Sequence, residues 1–339
     1  MIVKYGGGIH YQNISKTLEK TTLKYTQDES KLKNISITFF VRSSLDTDIF
    51  MSHGCADKNY REIENGKYLH KFKLILVPGP WLKKKLITYG IHESKIACVG
   101  WPKLDPLFLQ LKKWKPNNNY KTVLWVPTHN WGIYKVHKTS ISSYPRLYRY
   151  MNYLNKLTGI KIIISTHPKN RKEKIPTLDK LVACDYVIAD AGSTVYEAWA
   201  LGKPVIFPDW IVKNKILNNI PGSAEEYIYT NNIGYHANNI NELVSLLKSD
   251  LIIEKDVKDF MEDYMPSKFN GRSGKAVYRA INKFFIIESM KPSNNSVNLY
   301  NTEYFNSNKN INRIFNIYTF ICIIFLIIFL FLKLRGRYF

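Results

Sequence analysis

Residues able to handle phosphate and protons follow short apolar runs at several points of this chain. Met51 leads into Ser52-His53-Gly54, Val126 into Pro127-Thr128-His129, Ile164 into Ser165-Thr166-His167-Pro168, and Ala189 into Asp190-Ala191-Gly192-Ser193-Thr194. Histidine exchanges a proton near neutral pH, so His53, with Asp57 and Lys58 close by, is a candidate proton carrier or phosphate ligand, against the competing reading of a structural histidine. Pro168 fixes the chain just after His167 and so holds that imidazole at the end of its apolar run.

The elements that must position these groups read most clearly over residues 185–209. Tyr186 to Ala189 is a short, unalternating apolar run bounded by acids, as a parallel strand covered on both faces would be. Gly192-Ser193-Thr194 turns the chain into a helix, Gly202-Lys203-Pro204 stops it, and Val205-Ile206-Phe207 is the next strand. A helix start at the carboxyl edge of a parallel sheet offers unpaired N–H groups and a positive dipole end, which suits a phosphate. Thr194 and Glu197 also have the spacing of a capping box, which would merely close that helix end. Both readings stand. In the ligand reading the small Ala191-Gly192-Ser193 turn admits a nucleotide, and Glu197, one helical turn inside, reaches ribose hydroxyls.

Strand and helix signals alternate along most of the chain, the pattern of parallel sheets. Strands are expected at 2–5, 35–41, 48–51, 72–77, 96–99, 121–126 and 161–165, with helices at 14–23, 81–89, 148–157, 242–247 and 271–285. In an open α/β sheet the ends at Thr128, Thr166-His167 and Asp190 share one edge, the usual ligand edge. The glycines at 6–8 lack dinucleotide-fingerprint spacing and read as a permissive turn, and the basic, aromatic loop 132–144 reads as an acceptor-facing lid or an insertion.

The 339 residues, 45% of them hydrophobic, are enough for two α/β domains. The expected division is 1–115 for a first α/β domain and 116–288 for a second, with the polar, basic stretch 112–119 between them. Residues 289–313 read as an asparagine- and serine-rich tether, 314–332 as an uncharged transmembrane helix and 333–339 as a basic tail. A single-pass C-terminal anchor with the catalytic domains in the cytoplasm is expected, because the chain opens without a secretory signal.

The net charge of +22, from 49 basic and 27 acidic residues, favours anionic partners. Lysines dominate and are dispersed, with no zinc-finger or RNA-binding signature, so nucleic acid is not the expected partner. The four cysteines form no C-x-x-C pair, which argues against a disulfide framework and a structural zinc. Asp57, Asp105, Asp190 and Asp209 are scattered, each with a turn or cap role open to it, so no metal ligand is assigned and a bound divalent cation is left open.

An ordered set of short pieces resembles the CDP-glycerol glycerophosphotransferases, the teichoic-acid primases and polymerases. The pieces are Ser52-His53-Gly54, Gly100-Trp101-Pro102-Lys103-Leu104-Asp105, Val126-Pro127-Thr128, Thr166-His167-Pro168, Asp190 through Glu197 to Lys203-Pro204-Val205, and Phe269-Asn270-Gly271. The resemblance implies two Rossmann-like domains facing across a cleft, residues 1–115 on the acceptor side and 116–288 binding the donor nucleotide, a GT-B-like α/β architecture. It implies His53 as general base on the acceptor hydroxyl and His167 on the donor pyrophosphate. Ser193 and Thr194 would bind phosphate oxygens, Glu197 the ribose, and Thr128, Asp190 and Gly192 would complete the donor site.

The implied activity is a membrane-tethered transfer of glycerol phosphate, or a related polyol phosphate, from CDP-glycerol or another nucleotide-activated donor. The acceptor would be a membrane-associated or polymeric polyol or sugar, and no cofactor beyond the donor substrate is implied. Gly192 stands where that family carries a hydroxyl residue and UDP-N-acetylglucosamine 2-epimerases carry glycine. A UDP-sugar glycosyltransferase or 2-epimerase is therefore the second expectation, and a non-catalytic relative the third.

Overall fold

The computed structural model describes residues 2–3, 36–39, 48–57, 68–128, 141–166 and 177–290. The expected helix at 14–23, the glycine turn at 6–8, most of the loop 132–144, His167, the tether from residue 291 on and the expected transmembrane segment 314–332 lie outside the described residues, and residues 289–290 of the expected tether belong to the last helix. No described helix is long and apolar enough to cross a membrane. The described residues up to Asn282 form one compact unit, and the described part of a second, from Lys283, is the end of the last helix.

Among the described residues the fold is made of two five-stranded parallel sheets. The first contains β1 (Ile2–Val3), β2 (Ser36–Thr38), β3 (Ile49–Met51), β4 (Leu74–Val77) and β5 (Ile96–Cys98), added side by side in sequence order. Between its strands and after them come α1 (Pro80–Thr88), started by a proline at its first position, and α2 (Asp105–Leu111). All four residues of β4 are buried, which is why its sequence is apolar without alternation.

The second sheet contains β6 (Lys121–Val126), β7 (Ile160–Ile164), β8 (Tyr186–Ala189), β9 (Val205–Pro208) and β10 (Tyr235–Ala237). Its helices are α3 (Met151–Leu154), α4 (Thr177–Ala183), α5 (Ser193–Ala200), α6 (Asp209–Asn219), α7 (Ala224–Thr230) and α8 (Ile240–Lys248). Its spatial order is β10-β9-β8-β6-β7. The chain leaves β6 to one side for β7 and returns to the other for β8, so the winding reverses between β6 and β8. That reversal opens a crevice at the carboxyl ends of those two strands. Thr128 stands at one lip and Asp190 at the other.

The last two helices, α9 (Lys255–Tyr264) and α10 (Ser273–Met290), follow the second sheet in sequence and reach back to elements of the first. Lys84 on α1 pairs with Asp263 at 2.8 Å, and the Asp105 carboxylate accepts the N–H groups of Ser273 and Gly274 at 3.0 and 2.8 Å, capping α10. Gly100 (φ 71°) lies under Phe269 and Ser273, where a β-carbon would fall 2.4 and 2.5 Å from their atoms. Two separated sequence pieces, 100–105 and 269–273, thus meet. An aromatic stack joins α5 to α9, with the Tyr196 and Tyr264 rings 3.9 Å apart and Phe260 beside both.

Candidate functional site

α5 begins directly from Gly192, which serves as its N-cap at φ 151° and ψ −177° with no side-chain cap. A side chain is strained at that φ, so glycine is demanded by the backbone itself. Thr194 is already the second helical residue, and the Thr194-to-Glu197 spacing is not a capping box. The capping reading is thereby overturned. Among the described residues the backbone N–H groups of Ser193 and Thr194 have no acceptor, as expected of a helix start that no side chain closes.

Glu197, 2% exposed, is turned away from that start. Its Oε1 accepts from the Trp101 indole Nε1 at 3.1 Å and from Lys103 Nζ at 3.2 Å. Both partners come from the piece that follows β5. The carboxylate therefore clamps α5 to the first half of the chain in this structure, a different task from the ribose contact expected of it. The signal in the sequence was the 100–105 piece, which carried no assigned role.

Thr128 and Asp190 hold the crevice in shape. Asp190 Oδ2 accepts the N–H groups of Thr128 at 2.8 Å and Ser143 at 2.9 Å, and the Thr128 hydroxyl donates to the Ala191 carbonyl. Ser142 donates to the Thr128 carbonyl at 2.7 Å, and the buried Tyr229 hydroxyl donates to the Asp190 carbonyl at 2.7 Å. These bonds tie the ends of β6 and β8 to the 142–143 turn and so set where Gly192 releases the helix. Both residues position the site.

The segment after β3 comes over from the first sheet and docks on that helix start. The Ala56 N–H donates to the Ser193 hydroxyl oxygen at 3.3 Å, and the Cys55 thiol reaches the Ser193 carbonyl at 3.5 Å. Tyr264 donates to the Cys55 carbonyl at 2.7 Å, fixing the segment from the α9 side. His53, two residues before Cys55, is exposed. Burial, followed by the Glu197 charge, pushes the Cys55 thiol well above its usual range, so it is held as a neutral packing group.

Asp57 anchors the far end of the same segment. Fully buried, it accepts from Lys85 Nζ at 2.7 and 2.8 Å, from the Trp81 indole at 3.3 Å and from the Ala224 N–H at 2.7 Å, where it caps α7. Glu225, also buried, accepts from the Asp57 N–H and the Tyr196 hydroxyl, each at 3.0 Å. No sequence spacing announces this network, because its partners lie up to 168 positions apart. Among the described residues no group of His, Cys, Asp and Glu is gathered as metal ligands would be.

The structure thus brings together Thr128, Asp190, Gly192, Ser193, Thr194, Glu197 and the segment that carries His53. His167 lies outside the described residues.

No family model and no curated protein matches the chain. Solved structures do. The wall teichoic acid polymerase TagF has a TM-score of 0.55 at 13% identity, over 85% of this chain and 89% of the other. A TagF variant soaked with CDPG for 30 minutes has a TM-score of 0.57 at 12% identity, over 85% and 89%. The S. aureus MnaA–UDP co-structure, at TM-score 0.48 and 14% identity over 86% of each chain, falls below the similarity from which a shared fold is read. The likeness to TagF is one of fold: α/β with parallel sheets, GT-B-like.

Proposed function

We propose that this protein is a transferase that moves glycerol phosphate, or a related polyol phosphate, from a CDP-activated donor to an acceptor hydroxyl. One observation carries the reading: the His53 segment of the first sheet is docked on Ser193 at an uncapped helix start beside the β6/β8 crevice. In this reading the donor phosphates lie against the N–H groups of Ser193 and Thr194 and the positive end of α5. The Ser193 hydroxyl accepts from Ala56 and keeps its own hydrogen to donate to a phosphate oxygen.

His53 takes the proton of the acceptor hydroxyl as that oxygen bonds to the glycerol phosphate phosphorus. The bond from that phosphorus to the bridging oxygen breaks, and CMP leaves with the electron pair. His167 is assigned to the charge that develops on the departing phosphate. Positioning and charge neutralisation supply most of the acceleration in such transfers, and an uncapped helix start serves both. The fold neighbour soaked with CDPG agrees with a nucleotide-activated donor. A polymeric or membrane-associated acceptor, and anchoring through residues 314–332 with the two sheets on the cytoplasmic side, belong to the same proposal.

The conformation of Gly192 removes the reason to prefer a UDP-sugar donor, because φ 151° requires glycine whatever the donor. The test incubates the full chain with CDP-glycerol and a glycerol phosphate oligomer and follows CMP release, with UDP-N-acetylglucosamine in a parallel reaction. Acceptor-dependent CMP release is expected. Binding or turnover of the UDP-sugar without any CMP release would overturn the reading.

A further inference from the structure

Beyond the α5 start, the carboxyl ends of β9 and β10 border a cavity of about 290 Å³ lined by Arg146, Asp209, Trp210, Lys213, Lys215 and Asn238. Three cations face a single acid there, and that acid is already committed. The Asp209 carboxylate, 2% exposed, lies 2.8 Å from His236 Nδ1 and 3.2 Å from Lys213 Nζ. Lys213 in turn donates to Asn232 Oδ1 at 2.9 Å. Arg146 and Lys215 make no ion pair and no side-chain hydrogen bond among the described residues.

Lys215 is half-buried and Arg146 exposed, and two like charges so placed on one wall raise each other's energy, a cost that an anion between them removes. Burial, and after it the Arg146 charge, lowers the Lys215 pKa, with Asp190 opposing. Lys215 thus feels the charges of both Arg146 and Asp190. β9 pairs directly with β8, so the cavity and the α5 start share one sheet edge. The Trp210 ring, held edge-on against Tyr150 at 6.4 Å, gives the cavity a planar wall.

We propose that this cavity is a second anion subsite, taking a phosphate group between Arg146 and Lys215, with the Asn238 amide, whose Nδ2 also donates to Glu242 Oε2 at 2.9 Å, offering its second N–H. Guanidinium meets two phosphate oxygens at once, and the half-buried ammonium neutralises the remaining charge. The phosphate belongs either to the nucleotide donor or to a phosphodiester of the acceptor chain. The subsite itself does not depend on which donor the protein uses.

The test titrates the full chain with inorganic phosphate and with glycerol 3-phosphate, read as the tryptophan fluorescence that disappears in Trp210→Phe. Arg146→Gln and Lys215→Gln should each weaken binding roughly tenfold, the scale of one charge-assisted hydrogen bond, while Lys248→Gln on the exposed end of α8 leaves it unchanged. Competition with CDP-glycerol marks the donor as the source of the phosphate, and competition with glycerol phosphate oligomers alone marks the acceptor. Should Lys215→Gln fail to fold, Arg146→Gln, exposed on its turn, decides the matter. Phosphate affinity unchanged in the charge-removed variants, or absent from the parent chain, overturns the subsite. A chain that binds phosphate here but releases no CMP sinks the donor reading and leaves the subsite standing.

Discussion

Trp101 and Glu197 join the two sheets through one hydrogen bond, indole Nε1–H to carboxylate Oε1 at 3.1 Å, reinforced on the same oxygen by Lys103. Glu197→Ala leaves a buried indole N–H and a partly buried ammonium without their acceptor. Removing one partner of such a buried pair costs about 3–5 kcal/mol. Urea unfolding of the ligand-free chain should show it, with Glu197→Gln losing less because its amide oxygen still accepts from the indole. A carboxylate that served only ribose would weaken nucleotide binding and leave ligand-free stability intact.

Gly192→Ala forces a β-carbon onto a backbone at φ 151°. The expected cost is roughly 1–3 kcal/mol, or a shift of α5 away from the crevice that relieves the strain. Thermal unfolding measures the first and donor affinity the second. If neither changes, the backbone account of this glycine is wrong.

His53→Asn should slow CMP release by roughly 10²- to 10⁴-fold while donor affinity holds, the signature of a lost proton carrier. Single-turnover release and donor titration on the same preparation separate the two quantities. Donor affinity falling with the rate would instead make His53 a phosphate ligand.

Alkaline pH should unfold the protein steeply. Burial holds the phenols of Tyr196, Tyr229 and Tyr264 and the thiol of Cys55 well above their usual ranges, and pushes the Cys184 thiol up to about 12. The unfolded chain ionises these groups at ordinary values of about 8.5 to 10, so above that range the folded chain binds more protons. The stability they contribute is fully present below the unfolded values and is lost as pH rises towards the folded ones, by about 1.4 kcal/mol per pH unit for each group. Urea midpoints taken from about pH 8 to about pH 11 should fall with increasing slope, whereas a flat profile would mean that the groups ionise in place.

The β8–α5–β9 unit and β6 were legible because short buried strands between turn residues leave a local trace that needs no knowledge of their neighbours. The expected helix over 148–157 is instead a 3-10 turn at Leu147–Tyr150 followed by the one-turn α3, cut off as the chain bends towards Gly159. α6 escaped notice because Ile211, Val212 and Ile216 are interleaved with lysines and asparagines without a single apolar stripe. α9 did carry a signal, since Val257, Phe260, Met261 and Tyr264 recur at helical spacing and all face inward. β10 is three residues long, too short for any pattern. At the site, residue types pointed to the helix start. The partners of Glu197 and Asp57 are set by chain crossings that no local spacing records.

The first sheet's described strands run in sequence order, so that sheet has no reversal and no split edge of its own. Besides the 100–105 piece that holds Glu197, it brings to the site the short segment after β3, pinned at Ala56 and Asp57. If the proposed transfer holds, acceptor preference should change on exchange of the residues just before those pins, around His53, while both scaffolds stay as they are. In engineering terms the second sheet is the fixed socket and the 52–54 segment the interchangeable tool.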